Sequence, residues 1–196
     1  MIEGPVIFLD IDGVLNDHTH MENMYCGTKP SCVKVFNSIL DSLPTAKIVI
    51  SSAWRYMMLR GELTVGGFEM LLLTHGVKCH GRVIGHTDAD GPVDEEPSHL
   101  DVDSWNRAGL KWRREQIRDW VAKNNVLNYV VIDDLDLEMH EQHRTVGTVG
   151  LTPACVLNVL RKLASQLDDY MCMWCGVGDV LPSGRCSHCN LNRNRE

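Results

Sequence analysis

Short apolar runs that end in polar side chains recur along the chain and predict buried strands. The runs cover residues 6–9, 46–50 and 129–132, and acidic or hydroxyl side chains follow each of them. An apolar run of this length, bounded by turn signals, is typical of a buried strand. Open α/β sheets carry their active sites at the carboxyl ends of such strands. The polar residues after the runs are therefore the candidate site residues.

Segments between and beyond these runs have apolar residues at helical spacing. Residues 31–43 predict a helix that Ser31 caps and Pro44 ends. Further predicted elements are a helical stretch over 56–76 broken at Gly66 and Gly67, a short strand over 77–84 and a helix over 111–121. Each site candidate thus lies where a predicted strand passes into a loop or helix.

Asp10 and Asp12 stand one residue apart at the end of the first run, and Gly13 follows them. Two carboxylates this close repel each other unless a cation or a proton lies between them. Mg²⁺ favours sites of one or two carboxylates with water and substrate phosphate, so the pair predicts a divalent metal site. A plain Asp-Gly turn explains Asp12 and Gly13 equally well when the two are taken alone.

Polar side chains also follow the second and third runs. Ser51 and Ser52 follow the second run, and Arg55, whose planar guanidinium suits phosphate oxygens, comes shortly after them. A serine at this position also fits as the cap of the following helix. Asp133 and Asp134 end the third run and form a second pair of acids.

Taken in order, these motifs resemble those of the haloacid dehalogenase (HAD) superfamily of phosphohydrolases. Asp-Ile-Asp-Gly-Val-Leu-Asn at 10–16 resembles motif I, the strand ending at Ser51 resembles motif II, and Val-Ile-Asp-Asp at 131–134 resembles motif IV. The resemblance extends over about residues 5–165 and looks most like the small HAD domains of nucleic-acid repair proteins, including the phosphatase half of polynucleotide kinase-phosphatases.

The resemblance implies a Rossmann-like three-layer α/β sandwich with a parallel central sheet. In that fold, residues 146–152 would be the last strand and loop before a closing helix over 153–166, which Thr152 caps. The basic residue of motif III falls at Arg114, where the family more often has lysine, and Lys111 or Arg113 could serve instead.

Residue roles are likewise implied by the resemblance. Asp10 would attack phosphorus to form an aspartyl-phosphate, and Asp12 would protonate the leaving oxygen and then activate water. The implied phosphoryl and substrate contacts are Ser51, Arg114, Ser52, Arg55, Lys111 and Arg113. The implied Mg²⁺ ligands are Asp10, the backbone carbonyl of Asp12, Asp133 and Asp134.

Composition narrows the class of protein. The 196 residues carry a formal net charge of −7, so any polyanion must be met by a local basic patch or through metal. No apolar run approaches the roughly 20 residues of a membrane-spanning helix, and no secretion signal opens the sequence. We therefore expect a cytoplasmic protein that does not contact the membrane.

Four cysteines near the end of the chain have metal-ligand spacing. Cys172, Cys175, Cys186 and Cys189 form two Cys-x-x-Cys knuckles, which predict a closed, structural Zn²⁺ site, with two disulfides or free thiols as the alternatives. This divides the chain into a HAD-like domain over 1–168 and a zinc ribbon over 169–196. The scattered cysteines Cys26, Cys32, Cys79 and Cys155 are expected to be reduced thiols.

Two polar segments lie outside these motifs. His18 and His20 could reach a metal or a phosphate, although solvated loop side chains are the simpler interpretation. Residues 86–103 are rich in acidic side chains but lack the ligand spacing of a calcium loop, so we interpret them as a solvated loop or lid.

The sequence as a whole predicts a Mg²⁺-dependent phosphomonoester hydrolase that acts on a nucleotide or a nucleic-acid end. Two alternatives remain open from the sequence. One is a small-metabolite phosphatase, and the other is a catalytically silent HAD scaffold that binds nucleic acid or protein. The zinc ribbon is equally consistent with binding nucleic acid, docking a protein partner or stabilising the chain. Its Arg185, Arg193 and Arg195 form only a small basic patch.

Overall fold

The computed structural model describes residues 2–17, 27–88 and 102–170, and of 102–108 and 167–170 it describes the backbone alone. Within these residues lie five strands: β1 (Val6–Leu9), β2 (Lys47–Ile50), β3 (Val83–His86), β4 (Tyr129–Asp133) and β5 (Gln142–Arg144). They form one parallel sheet in the order β3-β2-β1-β4-β5. The first strand of the chain is therefore the central strand of the sheet.

Five helices flank this sheet, together with a short 3₁₀ turn. They are α1 (Pro30–Ser42), the 3₁₀ turn Ala53–Arg55, α2 (Tyr56–Leu59), α3 (Val65–Thr74), α4 (Val102–Lys123) and α5 (Pro153–Tyr170). Parallel strands need such crossover helices because both faces of the sheet must be covered. None of the described helices is long and apolar enough to cross a membrane.

Side chains of β1 alternate between two separate cores. Ile7 and Leu9 face the larger core, which α1, α3 and α5 cover, whereas Val6 and Phe8 face the core that α4 covers. Phe8 makes edge-on ring contacts with Trp120 of α4, at 5.5 Å between ring centroids. The strand is thus buried on both faces between two helical layers. The three-layer α/β sandwich expected from the sequence is confirmed.

Some predicted element boundaries differ from those in the structure. Helix α1 begins at Pro30, so Ser31 lies inside its first turn and does not cap it; a proline is well tolerated there because its missing N–H needs no helical partner. The break expected at Gly66 and Gly67 lies earlier, since the Thr64 side chain accepts a hydrogen bond from Gly67 N and starts α3 at Val65.

The end of the domain also differs from the expectation. The last strand is β5 at 142–144, and 146–150 instead form a turn closed by a single bridge between Val146 and Gly150. Helix α5 continues to Tyr170, beyond the helix end expected at residue 166. Predictions for His18, His20, most of the acidic segment 86–103 and the four zinc-ribbon cysteines fall outside the described residues.

Candidate active site

Polar side chains from three neighbouring strands meet at one edge of the sheet. Asp10 follows β1, Ser51 follows β2, and Asp133 ends β4, so the parallel register brings all three to the carboxyl edge. Asp10 is 4% exposed, and Ser51 and Asp133 are fully buried. Charged and hydroxyl groups are rarely buried without a partner or a function. This edge is therefore the candidate active site.

Three carboxylates form a cluster at this edge. Asp10, Asp133 and Asp134 each offer an oxygen, and these oxygens lie within 4.8 Å of one another. Hard oxygen ligands of this kind suit Mg²⁺, so the donor set fits the metal expected from the sequence. The Asp12 side chain is not in the cluster.

Arg113 of α4 joins two of these carboxylates. Its Nη1 donates to Asp10 Oδ2 at 2.9 Å and to Asp133 Oδ2 at 2.8 Å. Burial alone would lower the pKa of Arg113, but the two acids outweigh it and raise that pKa. Burial and the neighbouring Asp10 raise the pKa of Asp133 to about 7 despite the guanidinium. Positive charge at the site therefore favours the ionised form of Asp133.

The nucleophile candidate is held at both oxygens. Asp10 Oδ1 accepts a hydrogen bond from the backbone N–H of Ile11 at 2.9 Å, while Oδ2 accepts from Arg113. Two fixed donors leave the carboxylate little freedom to rotate. Such preorganisation is what nucleophilic attack at a defined position requires.

Asp12 has its own set of donors. Asn16 Nδ2 donates to its Oδ1 at 2.8 Å, and the indole Nε1 of Trp54 donates to its Oδ2 at 3.0 Å. Sequence reasoning did not identify Asn16 or Trp54 as site residues. Their positions gave one signal, since Asn16 ends the first motif and Trp54 lies directly after the two serines of the second.

Gly13 lets the chain pass close to the acidic cluster. Its φ is +72°, and a Cβ built there would lie 2.5 Å from Asp134 Oδ2. Its carbonyl accepts a hydrogen bond from Thr145 Oγ1 at 2.7 Å. Any larger residue would meet Asp134. The glycine therefore lets the loop and the Asp134 side chain lie next to each other.

The two serines that follow β2 have different hydrogen-bonding surroundings. Ser51 Oγ is buried and has no hydrogen-bond partner among the described residues. Ser52 Oγ accepts from Trp54 N at 3.3 Å and so caps the 3₁₀ turn. The Ser51 hydroxyl thus has no partner among the described residues, and the helix cap that the sequence allowed in this segment is Ser52.

Arg55 points into the protein, contrary to the expectation that it contacts substrate. Its Nη1 donates to the carbonyls of Ser51 and Ser52 at 3.0 and 2.9 Å, and its Nη2 donates to Gln116 Oε1 at 3.0 Å. Burial lowers the pKa of this guanidinium. Arg55 therefore ties the serine loop to α4 and has few donors left for a phosphate.

Two other basic candidates lie away from the carboxylates. Arg114 donates to Glu138 Oε2 at 2.8 Å and to the Leu137 carbonyl at 3.3 Å, and Lys111 is exposed and 3.8 Å from Glu115. The basic residue at the acids is Arg113. Of the three candidates for motif III, Arg113 is thus the one that contacts the acids, and Arg114 and Lys111 do not.

Thr87 is a further polar residue that the sequence did not single out. It follows β3, is fully buried, and its Oγ1 has no hydrogen-bond partner within the described part of the chain. Because β3 neighbours β2, Thr87 lies at the same edge as Ser51. In the sequence, its position after a weakly apolar strand is the one signal that could have marked Thr87 as a site residue.

A parallel α/β sheet with acids at the carboxyl ends of its central strands is the arrangement that the resemblance to HAD domains implied. In comparison with protein families, the model described as "HAD domain in Swiss Army Knife RNA repair proteins" matches residues 6–156. The chain belongs to this family, and the resemblance to HAD domains of repair proteins is confirmed. Comparison with curated proteins and with solved structures gave no match.

Proposed function

We propose that this protein is a Mg²⁺-dependent phosphomonoester hydrolase that removes a phosphate from a nucleic-acid end. The observation that carries the proposal is the cluster of the buried Asp10 and Asp133 with the half-buried Asp134, in which Arg113 bridges the two buried members. Two buried acids that share one guanidinium, with a third carboxylate beside them, cost stability unless they serve a metal and a nucleophile. The family match supports a phosphatase-like activity.

In the proposed reaction, Asp10 Oδ attacks phosphorus and forms an aspartyl-phosphate as the bond to the leaving oxygen breaks. Asp12 gives a proton to that leaving oxygen. It then takes a proton from water, which attacks the aspartyl-phosphate and releases inorganic phosphate and free Asp10. Bound Mg²⁺, held by Asp10, the Asp12 carbonyl, Asp133 and Asp134, would neutralise charge between nucleophile and phosphate.

Two other residues would hold the transferring group. Arg113 offers a guanidinium already beside Asp10, and the Ser51 hydroxyl, which has no hydrogen-bond partner among the described residues, offers a donor at the neighbouring strand end. Catalysis of phosphoryl transfer depends mainly on such positioning and on neutralising charge. We therefore assign phosphoryl binding to Arg113 and Ser51, and not to Arg55.

The substrate class rests on the family description, which names RNA repair proteins. Repair of a broken strand requires ends with defined phosphates, so a phosphorylated nucleic-acid end is the substrate that fits best. A small-metabolite phosphatase and a silent binding scaffold are the alternatives. With a net charge of −7, binding of a polyanion has to be local to the site or to the basic chain end.

A second metal belongs to the same proposal. Four thiolates at Cys172, Cys175, Cys186 and Cys189 would hold a structural Zn²⁺, in a ribbon that contacts nucleic acid or a protein partner. We also propose a cytosolic location. Cys32, Cys79 and Cys155 are buried free thiols, as expected in a reducing compartment.

A substrate panel tests the function. The full chain is assayed with 3′- and 5′-phosphorylated oligonucleotides, mononucleotides and sugar phosphates, each with Mg²⁺ or with chelator. We expect Mg²⁺-dependent release of phosphate, highest with an oligonucleotide end. Asp10→Asn should abolish it, whereas Asp41→Asn, which changes an exposed acid paired with Lys78, should not.

Three results would each contradict part of the proposal. Highest activity on sugar phosphates would favour a metabolite phosphatase. Binding of oligonucleotides without turnover on any substrate would favour a silent scaffold. Turnover that persists in folded Asp10→Asn would exclude Asp10 as the nucleophile.

A further inference from the structure

The Asp12 carboxylate is held by one hydrogen bond on each of its oxygens. Asn16 Nδ2 lies 2.8 Å from Oδ1, and Trp54 Nε1 lies 3.0 Å from Oδ2. Both donors are 5% exposed, so neither bond is easily exchanged for one to water. A carboxylate with two buried donors has a fixed plane.

Asn16 is itself held in place by the loop in which it lies. Its Oδ1 accepts from Gly13 N at 2.9 Å, and its Nδ2 also donates to the Gly27 carbonyl at 3.0 Å. The amide therefore has one orientation that satisfies all of these partners. Its hydrogen bond to Asp12 is a consequence of the loop geometry.

Trp54 is held from the other side of the site. It lies in the 3₁₀ turn after β2, and its backbone N–H donates to Ser52 Oγ. Its ring is part of the larger core, so the indole N–H has little freedom to move. The donor to Asp12 thus comes from the segment that also carries Ser51.

We propose that Trp54 and Asn16 are positioning residues for Asp12 as the proton donor, an inference that rests on the proposed function. Each Asp12 oxygen uses one acceptor site for these donors and keeps another for the proton it transfers. Proton transfer needs the carboxyl within about 3 Å of the leaving oxygen. Trp54 and Asn16 fix that distance, while Asp10, Arg113 and the metal ligands act on phosphorus.

The need for a proton depends on the leaving group, which gives a selective test. A poor leaving group such as phenoxide gains from protonation as its bond to phosphorus breaks, whereas p-nitrophenoxide leaves readily without it. For kcat/KM only steps up to departure of the leaving group count, so the later water attack does not enter. A displaced Asp12 therefore lowers kcat/KM more for phenyl phosphate than for p-nitrophenyl phosphate.

The experiment uses the full chain with Mg²⁺ and a series of substituted phenyl phosphates. Trp54→Phe removes the N–H and keeps an aromatic ring. We expect its kcat/KM to fall by at least about tenfold with phenyl phosphate and by less than about threefold with p-nitrophenyl phosphate. The loss of about tenfold is a part of the rate gain that general acid catalysis usually gives. Trp120→Phe, in the core on the opposite face of the sheet, is the matched control and should leave the ratio unchanged.

Asn16→Ser gives an independent measurement, because it removes the donor to the other oxygen. It should steepen the dependence on the leaving group in the same direction, so the test stands even if Trp54→Phe does not fold. An equal loss with both substrates in a folded variant would mean that these residues only support the structure, and it would overturn the inference. A wild-type protein that hydrolyses neither these phenyl phosphates nor a phosphorylated oligonucleotide end would instead overturn the proposed function itself.

Discussion

Arg113 and Arg114 are adjacent in the chain but have different surroundings. Arg113 is bonded to two buried acids, whereas the partner of Arg114, Glu138, is 77% exposed. We expect Arg113→Ala to lower kcat/KM by about 10²-fold, the usual effect of losing one stabilising donor. Arg114→Ala should stay within about threefold of wild type, since exposed ion pairs contribute little. Steady-state hydrolysis of p-nitrophenyl phosphate measures both.

The same variant has a consequence for stability. Removing Arg113 leaves Asp10 and Asp133 facing each other without compensation, which typically costs about 3–5 kcal/mol in a buried pair. Added Mg²⁺ should restore part of this loss, because it supplies positive charge at the same carboxylates. Thermal unfolding with and without Mg²⁺ is the measurement. A Tm of Arg113→Ala that does not respond to Mg²⁺ would argue against a metal at these acids.

Gly13 offers a second prediction at the level of a single residue. Gly13→Ala should raise the Mg²⁺ concentration for half-maximal activity, because the new Cβ would push Asp134 out of the cluster. Gly61→Ala is the matched control: its φ of +73° gives a similar backbone strain of about 1–2 kcal/mol, but nothing lies within 4 Å of the new Cβ.

Mg²⁺ titration of activity compares the two glycine variants. The same shift in both would mean that backbone strain is responsible and that the contact with Asp134 is not. No shift in either would mean that Asp134 tolerates displacement and is not needed as a ligand.

Individual site residues were predictable where a strand fixes them and less so on a helix. Asp10, Ser51 and Asp133 lie at the ends of apolar strands. Because these strands are parallel, their carboxyl ends, and with them the three side chains, lie at the same edge of the sheet. On α4, one residue changes direction by about 100°, so the exact way in which the helix packs on the sheet decides which arginine faces the acids. That packing is a property of the whole domain and is not visible in the local sequence.

The segment that joins β2 to α2 is held mainly by Arg55. Its guanidinium donates to Ser51 and Ser52 carbonyls and to Gln116, and hydrogen bonds from charged groups contribute about 1.5–3 kcal/mol each. Arg55→Met keeps much of the apolar stem and removes these bonds. We expect it to lower the free energy of unfolding by about 2–4 kcal/mol and to raise KM, because Ser51 loses its support.

Arg60→Met is the matched control for Arg55→Met. Arg60 is the residue after α2, and its guanidinium pairs with Glu62 at a site where both side chains are more than half exposed. This substitution should change the free energy of unfolding by no more than about 0.5 kcal/mol. Urea unfolding followed by circular dichroism compares the two. Equal stability of both variants would show that the buried bonds of Arg55 are not needed.

Elements with a strong apolar pattern were predicted well, and those without one were not. Strand β1 is a run of four buried apolar residues, whereas β5 is Gln142, His143 and Arg144, which carries no apolar signal. β5 is a strand because it pairs with β4 at the edge of the sheet, and Gln142 is buried through hydrogen bonds to Leu135 and Leu137. Tertiary pairing overrode local propensity at this position.

At the scale of the whole molecule, removal of the proposed zinc site should leave the proposed magnesium site intact. Helix α5 continues to Tyr170, and Gln166 on it bonds both the N–H and the carbonyl of Tyr129. A chain ending after Tyr170 keeps these contacts and lacks the four cysteines. We expect it to lose about one zinc per chain while it retains Mg²⁺-dependent hydrolysis of p-nitrophenyl phosphate. Metal analysis and a phosphatase assay measure both quantities.

A full-length variant completes this comparison. Cys172→Ser with Cys175→Ser should also lose zinc, without a change in chain length. If the ribbon contacts nucleic acid, both variants should lose activity on oligonucleotides selectively and show a weaker salt dependence, because fewer counterions are released. Loss of activity on p-nitrophenyl phosphate as well would mean that the ribbon supports the catalytic domain.

The central place of β1 has a consequence for biosynthesis. Val6 pairs with Lys47 on one side and with Tyr129 on the other, so β1 leaves the ribosome well before β4, its second partner strand. A nascent chain that stops short of β4 leaves one edge of an apolar strand open, and such edges pair with other chains. Asp10 then also lacks Arg113 and Asp133. Most of the domain must therefore be synthesised before β1 has both of its neighbouring strands and before the proposed magnesium ligands are all present.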